Sequence, residues 1–325
     1  MRYTLSIRRA GLGDRLVCLA AAWIFSKRTG RTLVADWRFG AYSQGRASNL
    51  FTRVFDTRDN LAGVRFIADE SVGGLALPRP RYPPLWNDDE LLKRPFRRQD
   101  ETLLADRAQA VHLVKEGGDL PAATVVFDTC IASALELVAD ARTFFRELTP
   151  KSSVSIARDE FMRSHFGSNK VIALHVRHGN GGDIMDHARY WHSFPDAILR
   201  CLRAVRTVQA ELGRDAPVFL STDSIEVEQA VRGGGLDNVL SRPKHYRAAG
   251  TGELHLETDS DLILDDALVD MLLLAESHVL IRYPPASLFS FYGAAMKATC
   301  MTPVKIEDLE QASDPTDALS PAIVQ

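Results

Sequence analysis

At 325 residues, with 46% hydrophobic and 25% charged side chains, the chain is long enough for two domains and apolar enough to give each a core. Its 39 Lys and Arg nearly balance 42 Asp and Glu, for a formal net charge of −3, which argues against a general nucleic-acid binder. Four cysteines, Cys18, Cys130, Cys201 and Cys300, form no CxxC pair and no zinc spacing, and read as reduced core residues of a cytosolic protein.

The chain opens on a strand-like YTLSI, a Gly-rich turn RRAGLGDRL (8–16) and an apolar run LVCLAAAWIF (16–25). That run follows three arginines and resembles a signal peptide, but ten apolar residues do not span a bilayer. The flanks predict instead a strand, a Gly turn, a buried helix ending near Gly30, and a second strand, RTLVAD. A loop with Trp and Gly (37–49) and a short strand GVRFIA (63–68) follow. The next segment, 76–98, is dense in Pro, Arg and aromatics without a clean period, and is expected as irregular surface. ATVVFD (123–128) reads as a strand, and 131–148 and 153–166 as helices. The break at Thr149-Pro150 marks the neighbourhood of a domain boundary, and the helix after it suits either side. We expect domains at 1–165 and 166–325.

The second half alternates regularly. Strand KVIALHV is followed by a helix at 195–212, strand PVFLS by a helix at 224–232, and then comes strand NVLS. A helix at 266–277, strand HVLIR, a helix at 285–296 and a last strand, CMTPVKI, complete the pattern, with an acidic tail from 306. Such alternation predicts a doubly wound parallel sheet.

In such sheets ligands bind beyond the carboxyl ends of the strands. The residues there are RHGNGGD after the first strand of this half, STDS after the second and RYPPAS after the fourth. Arg177 and Arg282 converge on one crevice if their strands are close. Ser224 and Ser287 suit helix N-caps, and also suit presentation of N–H groups to a phosphate. As a set these residues point to an anion site, because a strand-end arginine buries a charge that needs an anionic partner. In the first half, Asp36 lies where a dinucleotide fold places its ribose-binding acid, but Leu16 replaces the third glycine of GxGxxG. The remaining glycine pair says only that the turn is tight or that backbone approaches a ligand.

HVRHGNGGDIMDHARYW, STDS and IRYPPASLF, with GLGDRL and RTGRTLVADWR near the start, resemble the α1,6-fucosyltransferases of glycosyltransferase family 23. This family includes nodulation enzymes and animal core fucosyltransferases, and the similarity runs over nearly the whole chain. It implies an α/β fold of GT-B type, two Rossmann-like domains facing a central cleft, with GDP-fucose held mainly by the second and the acceptor on the first. It also implies inverting, metal-independent transfer of L-fucose to the 6-hydroxyl of a reducing-end GlcNAc in a chitooligosaccharide or lipochitooligosaccharide.

By the same resemblance Arg177 grips the donor diphosphate, and His178 stands where animal members have a second arginine. His175 and Asp223 match positions that read the guanine, Ser287 matches a phosphate-side serine, and Gly11 and Gly13 match a loop that closes over the donor. One departure is Gly182, where a glutamate is expected before Asp183; it bears on activity and acceptor choice.

Three readings of 173–191 compete. In one, His175 and His178 are core and turn residues and the charges are solvated. In another, His175, His178, Asp183, Asp186 and His187 ligate a metal. An H-x-x-H leaving a strand puts its rings on opposite faces, however, and Arg177 between them repels a cation. The DSD at 259–261 is a further, weaker metal motif. In the third, adopted here, Arg177 is a permanently charged fork for a diphosphate, and Asp183 is the base for the acceptor hydroxyl, with Asp186 and His187 in reserve. The expected partners are therefore GDP-fucose and a GlcNAc-containing oligosaccharide, with no metal, no nucleic acid and no membrane span. A nucleotide-sugar hydrolase, a binding protein without turnover, or a transferase with another acceptor would use the same crevice.

Overall fold

The structure is a computed structural model that describes residues 1–42, 48–93, 107–130, 138–179, 193–244, 246, 261–284, 287–297 and 300–301. The chain divides into two compact units. Met1–Ser152 with Thr258–Leu264 form the first, and Ser153–Glu257 with Asp265–Gln325 the second.

The first unit contains, in order, β1 (Tyr3–Ser6), α1 (Leu12–Thr29), β2 (Thr32–Ala35), α2 (Phe51–Val54), β3 (Asn60–Leu61) and β4 (Val64–Ile67). Then come β5 (Arg81–Tyr82), α3 (Asp89–Lys93), α4 (Arg107–Lys115), β6 (Thr124–Phe127) and α5 (Val138–Glu147). The strand order is β3-β4-β2-β1-β6-β5, parallel except at β3. The apolar run near the start is the middle of α1, buried without a break from Leu16 to Ser26. A helix that is apolar all round belongs inside a fold, and α1 packs against β1, β2, β6, α4 and α5. It ends at Gly30, whose φ of 65° is the left-handed conformation that glycine adopts without strain. Among the described residues no helix is long and apolar enough to cross a membrane.

The proline-dense segment departs from expectation, because much of it is ordered. β5 adds to the sheet beside β6 as an edge strand, where flanking prolines leave no ladder bond unmade. A 3₁₀ turn at Pro84–Asn87 follows it. Arg81 is 6% exposed and organises the segment, donating to the carbonyls of Leu77 and Trp86 and pairing with Asp89. A two-residue strand carries no period, so the sequence could not display it.

The second unit contains α6 (Ser152–Phe161), β7 (Ile172–Val176), α7 (Phe194–Leu212), β8 (Val218–Thr222), α8 (Ile225–Gly233) and β9 (Val239–Leu240). It ends with α9 (Asp261–Glu276), β10 (Val279–Tyr283), α10 (Phe291–Met296) and β11 (Cys300–Met301). All five strands are parallel, in the order β11-β10-β7-β8-β9. The division between units falls beside the Thr149-Pro150 break. α6 goes with the second unit because Phe161, like Phe166 after it, meets Phe219 of β8 edge-on, with ring centroids 5.5 and 5.7 Å apart. One face of this sheet packs Ile172, Leu174, Val176, Ile281 and Tyr283 against α7 and α8. α7 starts at Ser193, whose side chain accepts from the N–H of Asp196 at 3.2 Å.

Candidate functional site

β7 is the strand at which the order of the second sheet reverses. From it the chain proceeds outward through β8 and β9, and β10 then returns to its other side. The carboxyl end of such a strand is where doubly wound sheets bind ligands. Register places Arg282 beside His175, and His175 beside Ser221, on one face of the sheet. Arg177 is the first residue past β7, and Asp223 the first past β8.

Asp223 ties this end together. One carboxylate oxygen pairs with Nη1 of Arg177 and accepts the N–H of Gly179 at 2.9 Å; the other accepts the N–H of His178 at 2.8 Å. The Arg177 N–H donates to the carbonyl of Tyr283 at 2.8 Å, so three strands converge on this turn. Burial alone would raise the Asp223 carboxyl, but the Arg177 charge and the two N–H donors outweigh it and hold the group below its ordinary range. Arg177 and Asp223, both singled out from the sequence, are therefore direct partners.

A prediction follows for Asp223→Asn. Folding strengthens the carboxylate form, so this stabilisation is present above the ordinary carboxylate range and is lost as pH falls through the lowered value in the folded protein. The variant should unfold about 3 kcal/mol more easily at neutral pH, the scale for breaking a largely buried pair. It should also lose the acid-side component of the wild-type stability curve. Thermal melts from neutral to strongly acidic pH measure both, and coincident curves would contradict the assignment.

His175 is 3% exposed. Burial first, and then the charge of Arg282, push its imidazole down to about 3, so it is neutral at any working pH. Its Nδ1 has no hydrogen-bond partner among the described residues, although a buried ring nitrogen ordinarily has one. The ring lies 5.1 Å from Phe289, whereas His178 packs on Phe194 at the start of α7, with centroids 5.2 Å apart. The two histidines thus turn to different sides of the sheet, as alternation along a strand requires.

Arg282 is 4% exposed. Its Nε donates to Ser290 Oγ at 2.9 Å and its Nη2 to the Ser287 carbonyl at 2.8 Å. It therefore joins the crevice as holder of the turn after β10. Ser287 sits in that turn, while Ser290 takes the position before α10. Ser224 does take the N-cap position of α8, yet its side chain makes no cap bond, and its Oγ is buried without a partner among the described residues.

Sequence reasoning missed Asp270. It is 4% exposed on α9 and accepts from Ser221 Oγ at 3.0 Å, from Arg242 Nη1 at 3.4 Å and from Lys244. Its signal was present: the one acid within the apolar stretch ALVDMLLLA has to find partners.

Gly11 and Gly13 lie in the other unit, at the start of α1. Gly11 has φ −59°, and a Cβ there would meet only Asp14 Oδ2, at an ordinary 3.6 Å. Among the described residues, neither backbone strain nor close packing requires a glycine here. Arg15, also missed, is 1% exposed and donates to the carbonyls of Ala10, Trp37, Phe39 and Ala41, binding the glycine turn to the loop after β2. Asp36 is engaged by Arg38 through two bonds of 2.9 and 2.7 Å, which speaks against the dinucleotide reading. Asp183, Asp186, His187, Gly182 and most of the DSD motif lie outside the described residues.

The family model described as nodulation protein Z matches residues 1–309. The nodulation protein Z of Bradyrhizobium diazoefficiens is 37% identical over 296 residues, 90% of this chain and 78% of that protein. The crystal structure of the fucosyltransferase NodZ from Bradyrhizobium superposes with a TM-score of 0.73 at 31% identity, covering 92% of this chain and 94% of the other. A structure of NodZ α1,6-fucosyltransferase soaked with GDP-fucose gives 0.71 at 31%, covering 92% and 94%. These matches, with a doubly wound sheet in each unit, bear out the α/β fold class of GT-B type. The chain therefore belongs to the nodulation protein Z family.

Proposed function

We propose that the chain is an α1,6-fucosyltransferase that moves L-fucose from GDP-fucose to the 6-hydroxyl of a reducing-end GlcNAc in a chitooligosaccharide or lipochitooligosaccharide. The observation that carries this reading is Arg177, held by Asp223 at the switch point of the second sheet, in a family whose solved member was soaked with GDP-fucose. On this reading the unit after Ser152 binds the donor and the unit before it the acceptor, and the chain works in the cytoplasm.

Transfer with inversion is a single displacement in which the acceptor oxygen attacks the anomeric carbon as the bond to GDP breaks. The leaving diphosphate gains charge, and Arg177 is placed to neutralise it, with the planar guanidinium donating two parallel bonds. His178, next in the chain, adds its imidazole as a further polar group at this turn. His175 Nδ1 and Ser224 Oγ, without a partner among the described residues, are polar groups suited to the nucleotide, and neutral His175 offers one donor and one acceptor at its ring nitrogens. Gly11 and Gly13 let backbone approach the donor, and Ser287 lies on the phosphate side. Asp183 takes the proton from the acceptor hydroxyl.

Because protein cations carry the leaving-group charge in this account, no metal is needed. Excess EDTA is expected to leave the transfer rate within about twofold of the untreated enzyme. A rate that collapses with chelator and returns with manganese would point to the histidine cluster or the DSD motif instead.

A further inference from the structure

We infer that Arg282 is a positioning residue of this site, fixing the turn that presents Ser287 and the surface on which His175 packs. The inference rests on the donor-site reading above but assigns a role to a residue which that reading leaves without one.

A buried arginine within a parallel strand, one residue from its carboxyl end, needs a reason. Leu280 and Ile281 before Arg282 are fully buried, and an apolar residue would continue the strand at no desolvation cost. The guanidinium instead makes two bonds to one short turn, from Nε to Ser290 Oγ and from Nη2 to the Ser287 carbonyl. Ser290 precedes α10 but makes no cap bond with its side chain, which is given over to Arg282. The turn is closed at its other end by the Ser287 N–H, which donates to the Pro284 carbonyl at 3.1 Å. Both the N–H and the carbonyl of Ser287 are thereby fixed, and with them the Cα–Cβ bond that carries its hydroxyl. Between the two serines, Phe289 lies on the His175 ring at 5.1 Å, so the same turn forms one wall of the histidine's site.

Arg282 also acts through its charge. The charged groups facing His175 are Arg282 from β10, Arg177 just past its own strand, Asp223 past β8 and Lys244 past β9. α9 adds Asp270, which is bonded to Lys244. After burial, Arg282 is the largest influence keeping the imidazole neutral. Position and charge can be separated experimentally. Lysine keeps the charge but cannot hold a carbonyl and a hydroxyl in the fixed fork of a guanidinium, and methionine keeps neither.

The test uses the full chain as wild type, Arg282→Lys, Arg282→Met and Ser290→Ala. GDP affinity is measured by calorimetry, KM and kcat with GDP-fucose, and the His175 titration by NMR of isotope-labelled imidazoles. Arg282→Met is expected to weaken GDP binding and raise donor KM on the order of tenfold, and to move the His175 midpoint upward. Arg282→Lys should raise donor KM while the His175 midpoint stays low. Ser290→Ala should raise KM by a smaller factor with His175 unmoved. Unchanged KM in both Arg282 variants, or lowered melting temperature with donor KM and His175 both as in wild type, would overturn the inference. If the methionine variant does not fold, the lysine variant decides by the same two readings. Arg177→Ala serves as the reference. Should it bind GDP as tightly as wild type, the donor-site reading itself has failed; should it lose GDP while the Arg282 variants do not, only the present inference has.

Discussion

Replacing Arg177 by alanine is expected to abolish fucosyl transfer, and replacing it by lysine to recover little. Arg177 leaves β7 at the switch point with its backbone pinned to Tyr283 and its guanidinium paired with Asp223. That pairing holds the side chain in one orientation before donor arrives. Removing one preorganised donor to a developing anion costs about 10²- to 10³-fold in turnover, and Arg177 supplies a charge as well. Alanine also strands Asp223 next to two N–H donors without its cation, so part of the loss will be stability, about 3 kcal/mol for a largely buried carboxylate. Lysine removes that ambiguity. It still pairs with Asp223 as a point charge, so the protein should melt near the wild-type temperature, yet it lacks the fork for two parallel bonds. Turnover with saturating GDP-fucose, measured beside a thermal melt, separates the two. A stable lysine variant with near-normal turnover would sink the diphosphate clamp.

The second large effect is expected at Asp183. Attack by the acceptor 6-hydroxyl requires a group to take its proton, on the sugar face opposite the departing GDP. General base assistance is worth roughly 10²- to 10⁴-fold, so Asp183→Asn should cut turnover by that order. It should leave donor affinity nearly unchanged, because the change is close to isosteric and Asp183 makes no donor contact in this account. Asp183 follows Gly181 and Gly182 in the sequence, a pairing that suits a carboxylate that has to reach an acceptor. GDP-fucose affinity and single-turnover rates measured separately give the answer. If turnover survives, the base is Asp186, His187 or another group, and Asp183 only shapes its loop.

Much of this was legible in the sequence, for identifiable reasons. The long elements of both units carried their own period or apolar run, and the strand-end polar residues stood out because burial of a charge such as Arg282 demands partners. The Gly turn before α1 was visible, and its φ values show that glycine there is not explained by backbone strain. What could not be read was which partner each charge would find. Asp223 lies 46 residues beyond Arg177, and only the β7–β8 register makes them neighbours. Arg282 looked like a second anion clamp, yet its bonds to Ser287 and Ser290 make it a holder of the turn. β5 stayed hidden because two residues between prolines carry no period, and Asp270 because an acid within an apolar stretch names no partner.

The most direct test of the account is mass-detected transfer, with purified protein, GDP-fucose and a chitooligosaccharide in the presence of EDTA. The account predicts one added deoxyhexose on the reducing-end GlcNAc, linked through its 6-hydroxyl, with GDP released in step. It also predicts only slow cleavage of GDP-fucose when the acceptor is left out. GDP-fucose cleaved equally fast with and without acceptor, and no deoxyhexose on the oligosaccharide, would contradict it and make the crevice that of a nucleotide-sugar hydrolase.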